Sequence, residues 1–107
     1  MRFEIRLARE AERQLLALSA NRRAILRAQI ETHLRHDPKK VSKSRIKRLR
    51  GLRRPQYRLR ADDYRVFYDI EGQEVQILAI VSKAEVALWL ETHSAPEPGS
   101  GPGESEG

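Results

Sequence analysis

The stretch "YRLRADDYRVFYDIEGQEVQILAIV", Tyr57 to Val81, decides the fold. Tyr57, Leu59 and Ala61 alternate with Arg58 and Arg60. Tyr64, Val66, Tyr68 and Ile70 alternate with Arg65, Phe67 and Asp69, and Val75, Ile77, Ala79 and Val81 alternate with Gln76, Leu78 and Ile80. A period of two is that of a strand with distinct faces. The separating pairs, Asp62-Asp63 and Gly72-Gln73, each fit a two-residue hairpin turn, and Gly72 sits where a type II′ turn needs positive φ. Three antiparallel neighbouring strands are therefore predicted.

The first turn fixes a register. With Asp62-Asp63 as the loop, Ala61 faces Tyr64, Arg60 faces Arg65, Leu59 faces Val66 and Arg58 faces Phe67. Side chains directly opposite in an antiparallel pair share a face. Tyr57, Leu59, Val66, Tyr68 and Ile70 then line a core side, while Arg58, Arg60 and Arg65 converge on the other. Like charges placed this way repel and cost stability, which makes the cluster a candidate anion site. The competing reading is that Asp62, Asp63 or Asp69 neutralises it. With Gly72-Gln73 as the second loop, Arg65 pairs with Ile80, and the exit through Val81-Ser82-Lys83 brings Lys83 to the same rim. Four cations around one groove suit a phosphate whose charge grows during cleavage.

Working outward, Phe3, Ile5 and Leu7 alternate with Arg2, Glu4 and Arg6, another half-buried strand. From Ala8 the period becomes helical. Ala11, Leu15 and Leu18 share one face, and Leu26, Ile30 and Leu34 form a second stripe, with Asn21 as the expected cap and Asp37-Pro38 as the end. Lys39 to Ser44 reads as a basic loop, Ile46, Leu49 and Leu52 as a short strand or irregular arm, and Lys83 to Glu91 as a terminal helix. The predicted fold is α+β: an N-terminal strand, a helical hairpin, a mostly antiparallel twisted sheet and a short C-terminal helix, in one domain over residues 1–93. Residues 94–107 are Pro, Gly, Ser and Glu with no apolar side chain beyond Ala95, and are expected to be disordered.

Charge supplies the functional hint. The 107 residues hold 21 Lys+Arg against 15 Asp+Glu, a net of +6. Glu97, Glu104 and Glu106 lie in the tail, so residues 1–93 carry +9. Twelve Lys or Arg and only two acids fall between Lys39 and Arg65. Such an imbalance points to a polyanion, of which nucleic acid is the commonest, although a solvated basic face also aids solubility. The absence of cysteine removes disulfides and thiolate ligands and fits a reducing compartment. With no apolar run of signal-peptide or membrane-spanning length, a cytoplasmic protein without membrane contact is expected. There is no Gly-rich phosphate loop, Ser/His/Asp constellation or pair of catalytic carboxylates. His33 and His36, three apart on the second helix, lack an evident third ligand and read as surface histidines, so neither a metal nor a small-molecule cofactor is expected.

The wider stretch "RLRGLRRPQYRLRADDYRVFYDIEGQEVQILAIVSKAEV", Arg48 to Val86, resembles the heart of the RelE/ParE toxin superfamily. Its motifs there are a Leu-Arg-Gly turn, the Tyr57-Arg58-Leu59-Arg60 strand, a short polar turn, Tyr64-Arg65-Val66-Phe67-Tyr68, and an apolar strand ending in a basic loop. With the preceding strand and hairpin the resemblance covers residues 1–91. It implies the toxin of a type II toxin–antitoxin pair, in either of two activities: RelE-like members cleave mRNA in the ribosomal A site, and ParE-like members poison DNA gyrase. The first implies an endoribonuclease in which the substrate's own 2′-hydroxyl attacks the adjacent phosphate without a metal. Carried over residue by residue, Arg65 matches the arginine at the scissile phosphate, Arg58 stands where RelE-like enzymes place a catalytic lysine, and Lys83 where they often place a second catalytic arginine. Arg50 in the Leu-Arg-Gly turn matches a phosphate-binding arginine, and Arg60, Lys47 and Arg48 belong to the same RNA-binding set. This chain departs from the pattern at Gln56, where a second lysine would stand, and at Ala87, where a base-stacking tyrosine would stand, with Trp89 close by as a substitute. The implied partner is a cognate antitoxin with an acidic amphipathic segment. A gyrase inhibitor, or a degenerate toxin that binds only its antitoxin, is the alternative.

Overall fold

β1 (Glu4–Leu7) opens the chain, and the computed structural model describes residues 1–98. α1 (Arg9–Leu16) buries Ala11 and Leu15, one turn apart, and carries Glu10 and Glu12 in its first turn, where the helix dipole favours acids. α2 (Ala20–Leu34) buries the expected stripe of Leu26, Ile30 and Leu34. Its cap is Ser19 rather than Asn21: the Ser19 hydroxyl accepts the Arg22 N–H at 3.3 Å, leaving Asn21 inside the first turn. The end of α2 is tied to the start of the sheet, because the Phe3 N–H donates to the Arg35 carbonyl at 2.7 Å and Arg35 Nη1 donates to the Phe3 carbonyl at 2.9 Å.

The rest is sheet. β2 (Ile46–Arg48), β4 (Tyr57–Ala61), β5 (Tyr64–Glu71) and β6 (Glu74–Ser82) join β1 in the order β1-β6-β5-β4-β2, antiparallel except for the β1–β6 pair. This is the α+β architecture expected. The β4–β5 register is the one the Asp62-Asp63 turn dictates: Ala61 opposite Tyr64, Arg60 opposite Arg65, Leu59 opposite Val66, Arg58 opposite Phe67. Asp62 takes φ of +58°, a conformation that aspartate tolerates better than most residues.

The β5–β6 pairing corrects the expectation. Arg65 lies opposite Val81, not Ile80, because the register shifts between Phe67 and Tyr68 and leaves Leu78 as an extra residue on β6. A one-residue bulge reverses the faces of the side chains beyond it. Val75, Ile77 and Ile80 therefore join the core beneath α1 and α2, while Ala79 and Val81 turn to the opposite face with Phe67. β1 pairs only with Glu74 to Ile77, and beyond it the Ile80 N–H is taken by the Gln14 side chain of α1 at 2.6 Å.

The main core lies between the sheet and the helical hairpin. Leu59, Val66, Tyr68, Val75 and Ile77 are fully buried there. Tyr68 stacks on Tyr57 at 5.4 Å and donates its hydroxyl to the Pro38 carbonyl at 2.6 Å, which fastens the loop after α2. Burial and the neighbouring Tyr57 push that phenol well above its ordinary range. A second, smaller cluster sits on the other face, where Val86, Trp89 and Leu90 of α3 (Val86–His93) cover Phe67, Ala79 and Val81. α3 follows a short 3-10 turn, Lys83–Glu85, so the terminal helix is interrupted at its start and runs two residues past the predicted Glu91. β3 (Leu52–Arg54) pairs with β7 (Ala95–Pro96), which gives structure to the first residues of the segment expected to be disordered from Ser94. Residues 99–107 of that segment lie outside the described residues. No helix among the described residues is long and apolar enough to cross a membrane.

Candidate functional site on the open face of the sheet

Alternation along β2, β4 and β5 brings four cationic side chains to the face away from the helical hairpin. Lys47 is opposite Arg58 and Arg60 is opposite Arg65, with Phe67 completing the Arg58 row. Arg58, Arg60 and Arg65 thus share one face, as the β4–β5 register requires, and Lys47 joins them. Its members differ in setting. Arg65 is only 8% exposed, and its Nη1 donates to the Asp62 carbonyl at 3.1 Å and the Tyr64 carbonyl at 2.9 Å, so the hairpin turn itself holds the guanidinium. Arg58 is half-buried, and its Nε is shielded without an acceptor among the described residues. Desolvation, then repulsion from Arg65 and Arg60, lowers its pKa from the ordinary arginine value. An arginine stays protonated under such a perturbation, so the effect is a destabilised cation that gains from an incoming anion. Arg60 is exposed and lines a polar cavity of about 390 Å³ with Ser44, Arg45, Asp62 and Asp63.

The neutralised alternative fails for Asp69. Four ion pairs form among the described residues: Arg6 with Glu74, Arg13 with Glu10, Arg35 with Glu31, and Arg54 with Asp69 at 3.3 Å. None includes Arg58, Arg60, Arg65 or Lys47. Asp69 faces Arg54 and also accepts the Gln56 N–H at 2.7 Å, while burial raises its pKa. Asp62 and Asp63 share the cavity with Arg60 without pairing to it.

Lys83 is exposed at the start of the 3-10 turn, and its N–H donates to the Asp63 carbonyl at 2.9 Å, which sets it beside the β4–β5 turn at the Arg60–Arg65 end of the face. Arg48 is not part of the cluster. It lies 5.3 Å over the Tyr57 ring and donates Nη1 to the Leu49 and Gln56 carbonyls at 3.1 and 2.8 Å, so it braces the turn. Arg50 is exposed beside Gly51, whose φ of +78° makes the turn, and shares a cavity of about 490 Å³ with Lys47, Arg48, Leu49 and Val41. Gln56 is structural: its Oε1 accepts the Ile70 N–H at 2.9 Å. Trp89, expected near a base, is instead 9% exposed and stacked between Phe67 at 4.8 Å and His93 at 5.0 Å. Ala87 points outward from α3. Among the described residues no group of three His, Cys, Asp or Glu side chains could hold a metal ion.

Sequence reasoning missed Phe67 as an element of this face. The signal was present, because Arg58 opposite Phe67 places the ring among the arginines, and Val86, Trp89 and Leu90 supply a helical stripe to cover it.

Comparison with known proteins agrees with this architecture. The profile of the ParE toxin of type II toxin–antitoxin systems, parDE, matches residues 5–87, a span that includes Lys47, Arg48, Arg50, Arg58, Arg60, Arg65 and Lys83 and stops short of Trp89. The RelBE2 toxin–antitoxin complex of Mycobacterium tuberculosis contains a chain similar in fold, with a TM-score of 0.60 and 24% identity over 77% of this chain and 99% of that one. The RelB–RelE antitoxin–toxin complex from Methanococcus jannaschii gives a TM-score of 0.58 and 16% identity over 78% and 96%. No curated protein matches by sequence.

Proposed function

The chain belongs to the ParE toxin family and is the toxin of a type II toxin–antitoxin system, and from that premise we propose that it is a ribosome-dependent mRNA endoribonuclease. The observation that carries this reading is the convergence of Arg58, Arg60 and Arg65 on one sheet face with no ion-paired carboxylate among the described residues. In the proposed reaction the substrate's 2′-oxygen bonds to phosphorus and the 5′-oxygen leaves, giving a 2′,3′-cyclic phosphate and a 5′-hydroxyl. Arg58 and Arg65 face the charge that grows on the non-bridging oxygens, where fixed cations in a partly dry site act most strongly. Arg60, Lys47 and Arg50 hold flanking phosphates, and the Lys83 ammonium donates the proton that the leaving oxygen needs. The proton of the attacking hydroxyl passes to solvent or a phosphate oxygen, since an arginine at position 58 offers no basic atom. Arg48 serves by bracing the turn that carries Arg50. The partner that restrains the toxin is a cognate antitoxin whose acidic amphipathic segment complements the +9 of residues 1–93.

A second reading, inhibition of DNA gyrase, draws support from the ParE profile and from the lack of a proton acceptor at Arg58, which stays protonated, and at Gln56, a neutral amide. Parallel reactions separate the two. Added to a translation extract, the protein is expected to yield new mRNA 5′ ends only while ribosomes translate, and added to a gyrase supercoiling reaction it is expected to leave the product unchanged. Blocked supercoiling with intact mRNA would reverse the order of the two readings.

A further inference from the structure

We propose that α3 and β7 form a strap over the Phe67 end of the arginine face, and that a single-stranded RNA segment lifts this strap to reach Arg58 and Phe67. The inference rests on the reading of this face as RNA-binding and concerns its regulation.

The strap crosses the face from β6 to the turn after β2. Val86, Trp89 and Leu90 press on Phe67, Val81 and Leu49, and the remainder of α3 looks outward, with Leu88 67% exposed. Two buried N–H donors have no acceptor among the described residues, Arg58 Nε and Trp89 Nε1. They flank the same ring: Arg58 is the cross-strand neighbour of Phe67, and Trp89 is stacked upon it. A buried donor without an acceptor costs free energy, and native folds keep few of them. The closed strap therefore carries opposing contributions, a favourable aromatic stack and two unmet donors.

Its two ends are unequal. At the hinge, Glu85 Oε1 accepts both the Ser82 N–H at 3.0 Å and the Ser82 hydroxyl at 2.9 Å, a reciprocal cap at the strand-to-helix junction. At the far end the latch is the two-residue β7, paired as Leu52 with Pro96 and Arg54 with Ala95, and continued by the Glu97 N–H to the Gly51 carbonyl at 3.0 Å. A two-stranded ribbon this short is marginal alone, and an eight-residue helix does not persist in water without a surface to pack on. Release of the latch thus frees the whole strap while the hinge holds.

What the open face offers identifies its ligand. A guanidinium with an unmet donor takes a phosphate oxygen, and the uncovered Phe67 and Trp89 rings take bases, the pairing by which single-stranded nucleic acid is bound without regard to sequence.

The chain has no cysteine and a single tryptophan, which makes the test direct. Arg54→Cys with Ala95→Cys places a disulfide across the latch, and Leu52→Cys with Pro96→Cys is a second lock at the neighbouring pair. The probe is a fluorescein-labelled 2′-O-methyl oligoribonucleotide of about ten residues, which binds without being cleaved. Each lock is compared with itself, oxidised and reduced, so loss of the Arg54–Asp69 pair cancels. Oxidation should weaken binding at least about tenfold, on the scale of one lost base stack, and reductant should restore it. In the unmodified protein, saturating oligonucleotide should change Trp89 emission. Equal binding by the oxidised and reduced forms of both locks, or an unchanged Trp89 emission, overturns the strap. A strap that opens on RNA in a protein that leaves translated mRNA intact would sink the ribonuclease reading alone.

Discussion

The two faces of the central sheet are built from the same strands and could hardly differ more. On the helical face, Leu59, Val66, Tyr68, Val75 and Ile77 are fully buried in one continuous apolar layer. On the open face, the residues immediately next to Leu59 and Val66 in sequence are Arg58, Arg60, Arg65 and Phe67, three cations, of which Arg60 and Arg65 both repel Arg58, and an aromatic ring borrowed by a small second cluster. A period of two lets one strand serve both purposes, since neighbouring residues answer to different surroundings. Stability is concentrated on the first face, and the second tolerates an arrangement that folding alone would not select.

That division can be attacked from either side. The largest expected effect is on the helical face. Leu59→Ala should lower unfolding free energy by about 2–5 kcal/mol, the range for truncating a fully buried leucine. A denaturant melt checks this, and a loss below about 1 kcal/mol would mean that the layer collapses around the gap and is not the main support.

Arg65 straddles the comparison and sharpens it. It belongs to the open face, yet its guanidinium is nearly buried and bonded to two carbonyls of the hairpin turn. Arg65→Ala should therefore cost stability, about 1–3 kcal/mol for carbonyls left without their donor, in addition to its effect on mRNA cleavage. A thermal melt read beside primer extension separates the two losses. An unchanged melt would show that the turn does not depend on the guanidinium.

The smallest effect concerns His33, at the outer edge of the hairpin. Burial first, and the Arg45 cation second, lower its pKa from the ordinary 6.5. The unfolded chain then takes up its proton before the folded one does as pH falls. Stability should decline as pH drops below about 6.5, until the folded histidine protonates in turn. His33→Gln should flatten this slope in melts recorded across that window, and an identical slope in the variant would assign it to other groups.

The contrast between the faces was legible from the sequence wherever one face was apolar and the other charged. Alternation of Leu59 with Arg58 and Arg60 leaves a single register, and Asp62-Asp63 marks the turn, so the β4–β5 pairing follows from the residues alone. β6 offered no such contrast. From Ile77 to Val81 every side chain is apolar, so nothing in composition reveals that Leu78 is skipped and that Ala79 and Val81 change sides. The burial of Arg65 was hidden for another reason: its partners are backbone carbonyls, which carry no residue identity. The β3–β7 pairing joins two short segments distant in sequence, one containing proline, and neither has enough period to announce a strand. Ser19 and Asn21 are both good caps, and the hydrogen bond to the Arg22 N–H decides between them.

The central claim is that the open face acts while the helical face supports. Arg58→Ala combined with Arg60→Ala removes two cations that repel each other and keeps Arg65 in its turn. Primer extension on a reporter mRNA in a translation extract, beside a melt of the same protein, tests the claim most directly. The account predicts cleavage reduced by at least about 10²-fold, the scale for losing a transition-state donor, with stability within about 1 kcal/mol of the unmodified chain, since neither side chain has an acceptor or ion pair to lose among the described residues. Undiminished cleavage by this folded double variant would contradict it.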